Sequence, residues 1–131
     1  MLKYKEIRWG GIMNNKEKGV LGEMIALKYL ISQGIVIASK NFFYKNAEID
    51  LIGIENETII FIEVKLRFSR KYGRPYESVT KEKLNRIIYA ALNYLIKFKL
   101  QGSKIRFDII SLEYDKIEKL FRVEWIKNIY F

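Results

Sequence analysis

Glu48-Ile49-Asp50-Leu51-Ile52 and Thr58-Ile59-Ile60-Phe61-Ile62-Glu63-Val64-Lys65-Leu66 are two β-rich runs separated by the polar turn Glu55-Asn56-Glu57. β-Branched and aromatic residues dominate both, as strands require. The second run is apolar at successive positions, so both of its faces are expected to be buried. That marks a central strand covered by helices on either side. The strand ends on charge: alternation puts Glu63 and Lys65 on one side, ~7 Å apart. Folding the pair as an antiparallel hairpin about Asn56 sets Asp50 opposite Glu63 and Glu48 opposite Lys65. Two adjacent carboxylates repel unless a cation lies between them. A bare ion-paired strand end, with Glu63 on Lys65 or Arg67, is the competing structural explanation.

Outward from this hairpin the pattern is mixed α/β. Upstream, Asn14 with Glu17 resembles a capping box, and Val20, Met24, Leu27 and Ile31 recur at helical spacing up to Gly34, with Leu21 and Leu30 beside them. Glu23 borders that stripe, from where it can reach the strand ends. Ile35 to Ala38 reads as a short strand. Downstream, Phe68 to Ser78 is a basic, aromatic loop containing Gly73 and the single proline, Pro75. Thr80 caps a second helix with a stripe of Leu84, Ile87, Ile88, Ala91 and Leu95. Lys104 to Leu112 and Leu120 to Ile126 form the last strands, joined by a turn over Glu113 to Lys116. The expected order is α-β-β-β-α-β-β, a mixed central sheet flanked by helices.

Composition restricts the chemistry. The 131 residues suit one domain and include neither cysteine nor histidine. Thiolate and imidazole ligands and a histidine base are thereby excluded, and a metal would need oxygen ligands, which favours Mg²⁺ or Mn²⁺. Lys and Arg total 24 against 15 Asp and Glu, a net charge of +9. A polyanion such as nucleic acid is the expected partner. No apolar run approaches the ~20 residues of a membrane span, and a cytoplasmic location is expected. The loop and second helix offer Arg67, Arg70, Lys71, Arg74, Lys81, Lys83 and Arg86 for phosphate contacts. Phe68, Tyr72 and Tyr76 lie among them as candidate base-stacking rings. Tyr89, Tyr94 and Phe98 are expected in the core or a dimer contact, and Asp108 in an ion pair with Arg106. Residues 1–12 read as translated leader ahead of a start at Met13, or as a genuine N-terminal arm.

Asp50 with Glu63-Val64-Lys65 resembles the signature of the PD-(D/E)XK nuclease superfamily. From about Gly19 onward the chain is similar to the YraN-like family of uncharacterised bacterial proteins, relatives of archaeal Holliday-junction resolvases. Gly22-Glu23, Asn41, Glu48 to Ile52, Phe61 to Arg67, Gly73-Arg74-Pro75 and Arg106-Phe107-Asp108 carry the resemblance. Ala47 departs from it, standing where the family has glycine. The resemblance implies a restriction-endonuclease-like core with Glu23, Asp50, Glu63 and Lys65 as catalytic residues, and the three carboxylates as ligands of Mg²⁺ or Mn²⁺. The expected activity is endonucleolytic cleavage of branched or flapped DNA, by a homodimer as in related resolvases. The alternative is a non-catalytic nucleic-acid-binding module acting in DNA repair or uptake.

Overall fold

A computed structural model describes residues 2–8, 14–68 and 80–129. The elements are β1 (Leu2–Arg8), α1 (Asn15–Ser32), β2 (Val36–Tyr44), β3 (Ala47–Glu55), β4 (Thr58–Arg67), α2 (Lys81–Lys97), β5 (Lys104–Asp115) and β6 (Leu120–Ile126). They build one six-stranded mixed sheet in the order β1-β6-β5-β4-β3-β2. Among the described residues β4 and β5 pair in parallel, across the α2 crossover, and the other ladders are antiparallel. The expected central strand is central. Ile60 and Ile62 of β4 pack toward α1, and Ile59 and Phe61 toward α2.

The observed order adds a strand to the expected one. Leu2–Arg8 pairs along the whole length of β6 as an edge strand, a role that its alternating charges and aromatics concealed. Trp9 lies outside the described residues. β2 is nine residues long rather than a short run ending at Ala38, and its turn into β3 places Lys45 at φ 52°. β5 runs on to Asp115, so the turn falls at residues 116–119 rather than 113–116.

α1 begins as expected: Asn14 Oδ1 accepts from the Glu17 N–H (2.9 Å) while Asn14 Nδ2 donates to Glu17 Oε1 (2.9 Å). Its buried face is rotated from the expected stripe, keeping Leu30 buried and Leu21 and Leu27 against the core. Ile25, Ala26, Tyr29 and Leu30 face the sheet, while Val20, Met24 and Ile31 are exposed. α1 is apolar around most of its circumference, so small residues decide which face can approach. A Cβ on Gly22 would stand 2.9 Å from Leu66 Cδ2, which shows how closely the helix crosses the end of β4. On α2, Ile87, Ala90, Ala91, Tyr94 and Leu95 are buried. Tyr94 is a core ring, packed edge-on to Phe42 and Phe61, but Tyr89 and Phe98 are exposed. No helix among the described residues is long and apolar enough to cross a membrane.

Behind β5 and β6 lies a polar knot. Asp108 is 1% exposed. It accepts from Arg106 Nε (3.0 Å), from Trp125 Nε1 (2.8 Å) and from the Asn128 N–H (2.8 Å). Arg106 also reaches Glu55 at 3.2 Å. The expected Arg106–Asp108 ion pair is present and ties three strands and the segment after β6 together.

Candidate active site

The sheet is irregular where its acids gather. The β3–β4 ladder follows the expected register through Leu51↔Ile62 and then stops. At the next step Asp50 Oδ2 takes the N–H of Val64 (2.8 Å), the amide left unpaired as the strands part. Ile49 packs toward α2 and Leu51 toward α1, although a regular strand would put both on one face. β3 is therefore distorted at Asp50. On β2, Asn41 lies between Lys40↔Leu51 and Phe42↔Ile49, opposite Asp50, at φ 51°. Asparagine tolerates this left-handed geometry better than most residues. Its Nδ2 donates to Glu48 Oε1 (2.8 Å). Glu48 is thus held toward β2 rather than set opposite Lys65, because the β3–β4 ladder ends before reaching it.

Glu63 and Lys65 continue the parity of Ile59 and Phe61, so they lie on the α2 side. Thr80 Oγ1 accepts the Lys83 N–H (3.1 Å), and this cap seats the first turn of α2 over the strand ends. Lys83 Nζ then meets Glu63 Oε1 at 2.9 Å, closer than Lys65 Nζ at 3.4 Å. Glu48, Asp50, Glu63, Lys83 and Arg86 line one cavity of about 230 Å³ floored by Ile87.

Electrostatics single out Asp50. Burial is the main cause that pushes its carboxyl up to about 7, and the charges of Glu63, Glu48 and Glu23 add to the rise against the Val64 hydrogen bond. Lys65 moves the other way, lowered first by desolvation and then by Lys83. For Lys83, desolvation is the largest single effect and lowers it, but its bonds to Lys65 and Glu63 and the charges of Glu63 and Asp50 together outweigh this and raise it.

The expected set divides on inspection. Asp50, Glu63 and Lys65 come together. Glu23 is exposed on α1, whose buried face packs on the other side of the sheet, and only its charge reaches Asp50. Among the described residues no three acidic side chains form a metal-holding cluster. The donors that remain, Asp50 and Glu63, are hard oxygens, and Mg²⁺ commonly uses one or two carboxylates with water and phosphate completing its shell. An excess of acid around a buried carboxyl is the environment a cation relieves. The residues fit such an ion in donor chemistry, with Lys83 as the competing cation at Glu63.

Of the expected phosphate ligands, Lys81 and Arg86 are exposed on α2, while Lys83 is engaged with Glu63. Arg67 ends β4, and its buried Nε has no hydrogen-bond partner among the described residues. Arg70, Lys71 and Arg74, with Tyr72 and Tyr76, lie outside the described residues. Phe68 is a packing residue rather than a free stacking ring, set against Tyr114 and Phe121 and under Lys18. The residues missed from sequence are Asn41 and Glu48 as a pair, and Lys83 as a partner of Glu63. With the strand read only to Ala38, no strand position flagged Asn41; for Lys83 only the cap at Thr80 gave a hint.

The raised Asp50 carboxyl has a stability consequence. Its folded value lies above the ordinary 3.8, so between about pH 4 and 7 the folded state holds a proton that the unfolded state has released. Stability therefore falls as pH rises through that window. Above pH 7 the penalty is fully present, roughly 4 kcal/mol for a shift of this size. Asp50→Asn keeps an acceptor for Val64 and removes the charge. Without divalent cations it should melt several degrees above wild type at pH 8, and the gain should vanish toward pH 4. Thermal melts across that range check this; a gain independent of pH would contradict it.

Residues 22–112 match the model of "Uncharacterised protein family UPF0102". This span includes Asp50, Glu63, Lys65, Lys83 and Arg86. The chain is 48% identical over 100 residues to a UPF0102 protein of Clostridioides difficile, covering 76% of this chain and 88% of that one. It is 43% identical over 114 residues to one from Clostridium perfringens, covering 87% and 93% of the two chains. A Sulfurihydrogenibium relative is 37% identical over 115 residues, 86% of this chain and 100% of the relative. The chain belongs to the UPF0102 family.

Proposed function

We propose that this protein is a Mg²⁺- or Mn²⁺-dependent endonuclease that hydrolyses phosphodiester bonds in branched or flapped DNA, on a restriction-endonuclease-like core. The observation that carries the reading is the distortion at Asp50. There, where two strands part, Asp50 and Glu63 share one cavity with Lys83, and Lys65 reaches Glu63 from β4. Asp50 and Glu63 would hold the metal. When bound, such an ion polarises the phosphodiester and lowers the pKa of water. Lys65, its ammonium already disfavoured by burial and by Lys83, is suited to take a proton from the attacking water or to steady developing charge. Lys83 and Arg86 line the approach and can bind the phosphate.

One observation favours a second reading. Glu63 is neutralised by two lysines at 3.4 and 2.9 Å, as a purely structural network would be. The chain would then be a nucleic-acid-binding module without catalysis. A panel of branched, flapped, nicked and linear DNA with Mg²⁺ or Mn²⁺ separates the two. The endonuclease reading expects metal-dependent cleavage of structured substrates, and binding without cleavage of any of them supports the module. Either way, binding should weaken steeply with salt. With about five phosphate contacts the slope of log K against log salt should be roughly −4 to −5, and salt-insensitive binding would remove the electrostatic basis of the proposal.

A further inference from the structure

Beside the cavity of Asp50 and Glu63 lies a larger one of about 320 Å³. The two share Asn46, Ala47 and Arg86 in their walls, so they are contiguous across the turn between β2 and β3. Its size falls at the lower end of the ~300–1,000 Å³ typical of small-ligand sites. Its chemistry differs from that of its neighbour. The acids are replaced by two phenol rings, Tyr44 and Tyr89, and by two cations, Lys45 and Arg86. Tyr44 is half-buried against the α2 core, with Lys45 Nζ 5.5 Å from its ring centre. Tyr89 is 65% exposed on α2, so its ring is largely uncommitted to the core. Asn93, one turn further along, donates to the Tyr89 carbonyl (2.9 Å).

We infer that this second cavity is a subsite for an unpaired nucleobase of the DNA strand whose phosphate enters the first. The inference rests on the reading of the first cavity as a phosphodiester site. Aromatic faces accept any base by stacking, and cations at the rim suit the phosphates on either side. Arg86, common to both walls, would bridge the two. A base within a duplex is stacked and paired and cannot enter such a recess without being extruded. The subsite therefore selects substrates with an unpaired nucleotide next to the cut, which flaps and branch points supply and intact duplex does not.

The test is equilibrium binding of the full chain, in EDTA so that nothing is cut. The probes are a fluorescent DNA duplex with a single-stranded flap, the blunt duplex, and the flap sequence as RNA. Tyr89 is mostly exposed, so Tyr89→Ala should fold. It should weaken binding of the flapped probe roughly tenfold, given the usual contribution of one base stacked on one aromatic ring. Binding of the blunt duplex should stay within about twofold, and Tyr89→Phe should behave as wild type. Equal losses on both DNA probes, or no loss on either, would overturn the subsite. A Tyr89 effect confined to the RNA probe would overturn its assignment to DNA, and failure to bind any probe would overturn both cavities together. Metal-dependent cleavage with no Tyr89 effect would retain the endonuclease and remove the subsite. Tyr89-dependent flap binding with no cleavage would do the reverse.

Discussion

Glu63→Gln should abolish metal-dependent cleavage, by roughly a thousandfold or more, while binding DNA within a few-fold of wild type. The size follows from its place: it is one of the two carboxylates proposed to hold the metal, and the loss of preorganised charge at a reacting phosphate costs rates on this scale. Glutamine keeps the shape and a hydrogen-bond acceptor for Lys65 and Lys83, so the fold should survive. Lys65→Ala should lower the turnover rate more than the apparent metal affinity, because its proposed work is on the water and the developing charge. Gel assays over a metal titration read both effects. Glu63→Gln cutting at near the wild-type rate would remove it from the site.

Asp108→Ala should destabilise the domain by about 3–5 kcal/mol, the scale for breaking a buried, hydrogen-bonded ion pair. The loss removes an acceptor from Trp125 Nε1 and from the Asn128 N–H and leaves Arg106 with Glu55 as its remaining described acidic partner. A buried donor that loses its acceptor bears a desolvation cost. Urea denaturation measures the effect. A loss under about 1 kcal/mol would show that water replaces the carboxylate without penalty.

Much of this architecture was legible because apolar patterning is strong where both faces of a strand are buried. The β3–β4 hairpin, its register and the central place of β4 follow from Thr58 to Leu66 and the turn at Asn56. The Arg106–Asp108 pair was equally readable, since a buried strand can hold a carboxylate only with a partner. What escaped was decided by tertiary fit. α1 carries apolar residues on most of its surface, and the close crossing at Gly22 and Ala26 selects a face that Val20, Met24 and Ile31 do not share. β1 gains its pairing from β6, which its own sequence cannot announce. Within the site, Asp50, Glu63 and Lys65 were identified together, but a strict two-residue alternation cannot foresee the distortion that turns Asp50 onto the Val64 amide. Nor can it foresee that α2 lays Lys83 closer to Glu63 than Lys65 lies. The helical spacing lets Glu23 reach the strand ends and the resemblance implies it as a metal ligand, but the packing of α1 leaves it acting on Asp50 by charge alone.

The central claim is that Asp50 and Glu63 form a cation-holding site, and thermal melts at pH 8 with and without Mg²⁺ test it most directly. Wild type should melt higher in Mg²⁺, because an ion that binds only the folded chain stabilises it by mass action and relieves the acid crowded around Asp50. Asp50→Asn should start higher in the metal-free state and gain nothing from Mg²⁺. If Mg²⁺ moves neither protein, and Asp50→Asn melts well below wild type, Asp50 is a structural strand cap and the site holds no metal.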